Sequence, residues 1–157
     1  MAVMSQLEEL LEEAKVKYEV LQHPARYTAM EIAGAQHIPG DSMAKSVILR
    51  WDDDQYCMAV LPATHLIDFD KMSEILDADE IELATEDEIQ DLFPECPCGS
   101  EPPFGNWHNL PVYVDRVLSE NKTITFNAGS FTDTVRMNWN DYEDLVQPKL
   151  RSFSQHV

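Results

Sequence analysis

The sequence predicts an α+β domain: a mixed, largely antiparallel sheet, curled toward a barrel, with helices flanking it. Three observations carry that prediction. Two neighbouring strand-like runs, "KSVILRW" and "YCMAVLP", are joined by "DDDQ", the pattern of a hairpin. Strand and helix periodicities then interleave without the strict β–α–β alternation of a parallel fold. Finally, 157 residues that are 44% apolar, with no internal repeat, suffice for one core. The expectation is a single domain spanning residues 1–157.

The elements are taken in chain order. "SQLEELLEEA" places Leu7, Leu10 and Leu11 at helical spacing, with Ser5 as N-cap and Glu8 three residues on. "KYEVLQHP" alternates as a strand, with Tyr18, Val20 and Gln22 on one side and His23-Pro24 at its end. "TAMEIAGAQ" reads as a short helix, capped by Thr28 and stopped near Gly34. After the hairpin, "HLIDFDKMSEIL" is expected to be one amphipathic helix with Leu66, Ile67, Met72 and Ile75 inward. "IELAT" is a strand, and "TEDEIQDLF" a helix opened by Thr85 with acids in its first turn. The strand-like runs "VYVD", "TITFNAG" and "DTVRMNW" lead into a last helix, "WNDYEDLVQ".

Residues 94–111 break the pattern, since five prolines and two glycines in eighteen residues are incompatible with a regular element. Unstructured loops of that length are uncommon in compact domains and are often functional.

Eleven basic against 29 acidic residues leave a formal charge of −18. That opposes nonspecific adhesion to nucleic acid or anionic membrane, while screening over about 8–10 Å leaves room for a local basic patch. Neither DNA nor membrane is an expected partner. The odd set Cys57, Cys96 and Cys98 suits a reducing compartment. The acidic start lacks the features of a signal peptide, and no apolar run reaches the roughly 20 residues of a membrane helix. The expected location is cytoplasmic.

Three stretches are candidates for chemistry. In "KSVILRW" the period-two rule puts Lys45 on the face of Val47, Leu49 and Trp51, which is expected to look inward. Lys45 is then either a lysine reaching from a strand end to solvent or an ammonium at a cavity mouth, set to meet a carbonyl or phosphate oxygen. In "CGSEPPFG", Gly99 opens backbone geometry closed to other residues, and Pro102 and Pro103 stiffen the next turn. Such a loop either binds a carbonyl or carboxylate through free amides or simply connects elements. In "NAGSFTDT", Ala128, Gly129 and Ser130 form a small-residue strand end, which alone reads as a tight turn. Cys96-Pro97-Cys98 with His108 does not match the cysteine spacing of structural zinc sites, so no metal is expected. Cys57 reads as a small core residue. Serines 46, 100 and 130 and histidines 23, 65 and 108 offer triad members, but without a nucleophile-elbow pattern.

The segments "HPARYTAMEIA", "AKSVIL", "MAVLPATHLIDFDKMSEIL", "CGSEPPFG", "LPVYVD" and "TFNAGS" stand in the order seen in the YbaK/ProRS-associated editing domains. The chain resembles that family over roughly residues 15–147. The resemblance implies a YbaK-like mixed α/β fold without cofactor, acting as a free-standing aminoacyl-tRNA deacylase. Its reaction would be hydrolysis of the ester between a small wrong amino acid and tRNA, often tRNA-Pro. The implied partner is the acceptor end of aminoacyl-tRNA, with a synthetase as a further one and the oligomeric state open.

Residue by residue, the family lysine maps onto Lys45 and the glycine-x-x-x-proline loop onto Gly99 to Pro103, continued by Phe104 and Gly105. The small-residue strand end maps onto Gly129 and Ser130. The implied catalytic set is Lys45, Gly99 and Ser100, with the amides of the latter two holding the ester carbonyl or the amino-acid moiety. Substrate binding falls to Tyr27, Met30, Ser46, Pro103, Phe104, Gly129 and Ser130, and Val47, Leu61 and Phe131 join the expected lining. Some family members carry histidine where this chain has Phe131. The alternative function is a non-catalytic module of the same fold that recognises a protein or small molecule.

Overall fold

Two adjacent strands with apolar residues on both faces organise the molecule. The computed structural model describes residues 2–22, 30 and 41–156. Helix α1 (Ala2–Glu13) and strand β1 (Tyr18–Gln22) lead to the hairpin of β2 (Ala44–Trp51) and β3 (Gln55–Pro62). Then come β4 (His65–Ile67), α2 (Phe69–Leu76), β5 (Ile81–Leu83) and α3 (Glu86–Leu92). A short 3₁₀ turn, Gly105–His108, interrupts the proline-rich loop before β6 (Val112–Asp115) and α4 (Arg116–Ser119). Strands β7 (Thr123–Asn127) and β8 (Asp133–Asn138), helix α5 (Trp139–Val146), and strands β9 (Lys149–Arg151) and β10 (Ser154–His156) complete the order.

The mixed α+β architecture is the one the sequence predicts, but its strands fall into three sheets and no barrel closes among the described residues. A five-stranded sheet runs β5-β2-β3-β6-β9, antiparallel around the hairpin and parallel from β3 through β6 to β9. An antiparallel sheet runs β1-β8-β7, and β4 pairs with β10. A parallel bridge between Met43 and Thr125 brings the two larger sheets together at the entrance to β2.

The hairpin is covered on both sides. Ala44 and Ile48 with Met58 and Val60 join Phe104, Phe126 and Tyr142 in the larger core. Leu49 with Cys57, Ala59 and Leu61 joins Met72 and Phe153 in the smaller one. Double burial explains the near-continuous apolar run of β3 and corrects the expectation of a single inward face.

Local chemistry sets the helix limits. Thr85 opens α3 as expected, and the structure adds a reciprocal capping box between Thr85 and Glu88. The helix expected from His65 onward starts four residues later, because the Asp68 carboxylate accepts from the amides of Asp70 and Lys71 and caps it there. Leu66 therefore sits on β4, exposed rather than inward. Helix α1 begins at Ala2, so Ser5 lies inside it and is no cap.

The chain does not end with α5, because β9 and β10 come after it and are held by Asp115. One oxygen of that buried carboxylate accepts from the amides of Phe153 and Ser154 and from the Ser154 hydroxyl. The expected helix "TAMEIAGAQ" lies outside the described residues except for Met30, which is helical and exposed. No described helix is long and apolar enough to cross a membrane.

Candidate active site

Lys45 enters β2 opposite Leu61 of β3. It is half-buried, and burial draws the pKa of its ammonium down. In a chain with 29 acidic residues, no carboxylate among the described residues pairs with it. The other lysines, Lys15, Lys17, Lys71, Lys122 and Lys149, form no ion pair either but are all exposed, so what distinguishes Lys45 is its partial burial. Ser46 is only partly buried and points to the other side of the strand, paired with Val60.

The loop from Pro97 to Gly105 is built by its own backbone. Gly99 has φ +95°, where a side chain would be strained, and the ring of Phe131 lies 3.7 Å from where its Cβ would stand. The Gly99 amide donates to Glu101 Oε1 at 2.8 Å, and the Ser100 amide donates to the Pro97 carbonyl at 3.0 Å. The Ser100 hydroxyl also donates to Pro97, at 2.7 Å. Neither amide is therefore free to hold an ester carbonyl, which corrects that part of the expectation. Gly99 and Ser100 form the shape of the loop instead.

Further along, the Pro103 carbonyl accepts from the buried Tyr142 hydroxyl at 2.6 Å. Phe104 is fully buried, stacked on Trp107 and edge-on to Phe126 and Tyr142. Phe104 anchors the loop to the larger core while Leu61 belongs to the smaller one, so the two do not line one pocket as expected.

The strand end after β7 closes onto this loop. The Gly129 amide donates to the Ser100 carbonyl at 3.0 Å, and Gly129 itself has φ +89°. The Ser130 hydroxyl donates to Asp133 at 2.9 Å and accepts from its amide, the bonding of a tight turn. Asn127, absent from the sequence-based candidates, donates through Nδ2 to the Gly99 carbonyl at 3.5 Å. The bridge from Met43 to Thr125 lies two residues before Lys45 on one strand and two before Asn127 on the other. Since the bridge is parallel, both strands run from it in one direction, and this links the lysine strand to the loop. Tyr27 lies outside the described residues, and Met30 is described without a contact to the loop.

Glu101 is the other residue that sequence reasoning missed. It is only 4% exposed, and burial pushes its carboxyl pKa up. Nothing in "GSEPP" signals this, because a glutamate between a serine and two prolines reads as solvated.

The remaining candidates find other partners. Burial raises the thiols of Cys57 and Cys96 to about 12, which removes nucleophilic character at neutral pH. His108 pairs with Glu95 at 2.7 Å. His65 Nδ1 lies 2.9 Å from Ser154 Oγ, whose hydroxyl in turn donates to Asp115. Here the serine stands between acid and histidine, so the imidazole is not oriented by the carboxylate and no triad forms.

Known proteins resemble this chain in sequence and in fold. A proline–tRNA ligase of Staphylococcus saprophyticus is 29% identical over 126 residues, covering 76% of this chain and 22% of the relative. The chain thus spans about a fifth of that curated relative. A solved structure described as a candidate trans-editing enzyme for prolyl tRNA synthetase superposes with a TM-score of 0.83 at 20% identity. That match covers 99% of this chain and 98% of the other. The crystal structure of the hypothetical protein APE2540 gives 0.85 at 19% identity, covering 95% and 99%. At those identities the superpositions establish the fold. Residues 23–145, which include Lys45, the Gly99 loop and the Gly129 strand end, match the aminoacyl-tRNA editing domain, and the chain belongs to that family.

Proposed function

We propose that this protein is a trans-editing hydrolase that deacylates mischarged aminoacyl-tRNA, releases a small amino acid, and takes tRNA-Pro as its first candidate substrate. Lys45 is the observation that carries the reading: a half-buried ammonium without a described anionic partner, inside the matched family region. The reading takes residues 1–157 as one cytoplasmic domain.

An aminoacyl ester is already activated, so the protein has mainly to orient it and offset negative charge as it develops. Lys45 supplies that charge, to the terminal phosphate and ribose end or to the carbonyl oxygen. Water adds to the ester carbon, the bond to the ribose oxygen breaks, and that oxygen takes a proton. No described side chain stands out as a base beside Lys45, which favours help from the neighbouring ribose hydroxyl. Gly99, Ser100 and Pro103 form a rigid wall, and pocket size sorts small amino acids from larger ones. Such sieving is useful where one methylene is worth only about 1–3 kcal/mol to a synthetase.

The test is a deacylation panel over tRNA-Pro charged with alanine, cysteine, serine, threonine and proline. At least one small non-cognate amino acid should be released while prolyl-tRNA is spared. Lys45→Ala should lower kcat/KM by about 100-fold or more, the scale of losing one charge-stabilising group. Its melting temperature should not fall. No release from any member of the panel would overturn the function, and an active Lys45→Ala protein would overturn the role of the lysine.

A further inference from the structure

Glu101 is a buried acid without a counter-ion. Carboxylates are almost never buried so fully unless paired, because desolvation of the charge is expensive. Among the described residues no lysine, arginine or histidine forms an ion pair with it. Oε1 accepts from the Gly99 amide at 2.8 Å, and the other donor acting on the carboxylate is the residue's own amide. Both are neutral, so the charge stays uncompensated. Its negative charge in turn helps to raise the pKa values of the Cys96 and Cys98 thiols, after their own burial.

A second acceptor is bonded to the same glycine. Asn127 donates through Nδ2 to the Gly99 carbonyl, while its Oδ1 is buried and without a hydrogen-bond partner. Buried acceptors left empty are rare in folded proteins and call for an explanation. An uncompensated anion and an empty acceptor thus flank a single residue of the loop, within the matched family region. The complement to such a pair is a compact cation with several N–H donors. A guanidinium would need a planar, bidentate seat, whereas an ammonium needs only converging oxygens.

We infer that the Glu101 carboxylate receives the α-ammonium of the aminoacyl group, with Asn127 Oδ1 as second acceptor, so that this loop selects esters bearing a free α-amine. The inference rests on the deacylase reading above and adds to it a requirement on the substrate. Esters without the amine, or with the amine acylated as in peptidyl-tRNA, are refused.

The experiment compares alanyl-tRNA with lactyl-tRNA, in which a hydroxyl of similar size replaces the ammonium. Wild-type protein should favour the alanyl ester in kcat/KM by about 10- to 100-fold, the scale of a charge-assisted hydrogen bond. Glu101→Gln should lose most of that preference through a higher KM for alanyl-tRNA, with lactyl-tRNA hydrolysis unchanged. Glu101→Asp should recover part of it. A structural defect would instead slow both substrates alike, and circular dichroism confirms that each variant is folded. Equal wild-type rates on the two esters, or a preference that survives Glu101→Gln, overturns the inference while leaving the deacylase reading intact. If no ester is cleaved, the deacylase reading fails and binding decides the inference. 3′-Alanylamino-3′-deoxyadenosine must then bind more tightly than its lactyl counterpart in a Glu101-dependent way, and equal or absent binding overturns it.

Discussion

Lys45 and Glu101 are both held in environments that disfavour their charged forms, and the two cases run oppositely with pH. For Lys45 the folded pKa is lowered, so the cost is present at neutral pH and is relieved as pH rises through the lowered value. For Glu101 the folded pKa is raised. Burial then penalises the carboxylate above that pKa and favours the fold once the group is protonated. Glu101→Gln keeps an acceptor for the Gly99 amide and removes the buried charge. The variant should therefore be more stable than wild type at pH 7, and the difference should shrink as pH falls through the raised carboxyl pKa. Thermal melts from pH 7 to pH 4 check this, and a variant less stable at pH 7 would contradict it. Stability traded for a charged group is a common property of functional sites. Lys45 could be singled out in the sequence because strand parity placed it and the ordered motifs weighted it. Glu101 could not, since its burial arises only when β7, the loop and the larger core meet.

At the scale of elements, the proline-rich loop matters through its anchorage. Phe104 inserts into the larger core and the Tyr142 hydroxyl from α5 holds the Pro103 carbonyl. Tyr142→Phe leaves that carbonyl without its donor and should cost about 1–3 kcal/mol. It should also lower deacylation of an alanyl ester more than the stability loss explains, because the loop wall loses its fixed position. Urea denaturation beside kcat/KM separates the two effects.

Elements with a local signature were legible in the sequence: the β2–β3 hairpin from its turn, α3 from Thr85 and Glu88, β7 and β8 from alternation. Those that depend on distant partners were not. "HLI" is three residues long and merges by eye into the helix after it. "KLR" and "SQH" carry no alternation and become strands because β6, β4 and Asp115 receive them. The loop is irregular, as its prolines and glycines predict, but the amides of Gly99 and Ser100 are used internally, which only the hydrogen bonds could reveal.

At the scale of the whole molecule, one strongly acidic cleft lies away from Lys45. Lys45 is the second residue of β2, and Trp51, six residues and about 20 Å along the strand, borders that cleft at the other end. That cleft carries Asp52, Asp53, Asp70, Asp79, Glu80 and Glu82, and its one basic residue, Arg50, is paired with Glu82 and Glu88. Phosphates are repelled from that cleft, so the proposed tRNA substrate is expected to approach by the lysine end and to make few backbone contacts. Deacylation should show a shallow salt dependence, with a log–log slope of magnitude about 2 or less, against much steeper slopes for proteins making many phosphate contacts. A minihelix carrying only the acceptor stem should serve nearly as well as full tRNA. A steep slope, or strong loss with the minihelix, would point to a wider footprint. Net charge was evident from composition, but its separation from Lys45 needed the strand to be placed.

The clasp of Asp115 on residues 153 and 154 has a consequence for biosynthesis. Phe153 completes the smaller core, and Ser154 meets His65 from 89 positions away in the chain. On the ribosome, the smaller core therefore lacks Phe153 until translation has passed that residue and it has emerged. The larger core can form earlier from residues already made, so an emerging chain presents a half-finished apolar surface of the kind that chaperones bind. Stalling translation shortly before Phe153 should trap that species.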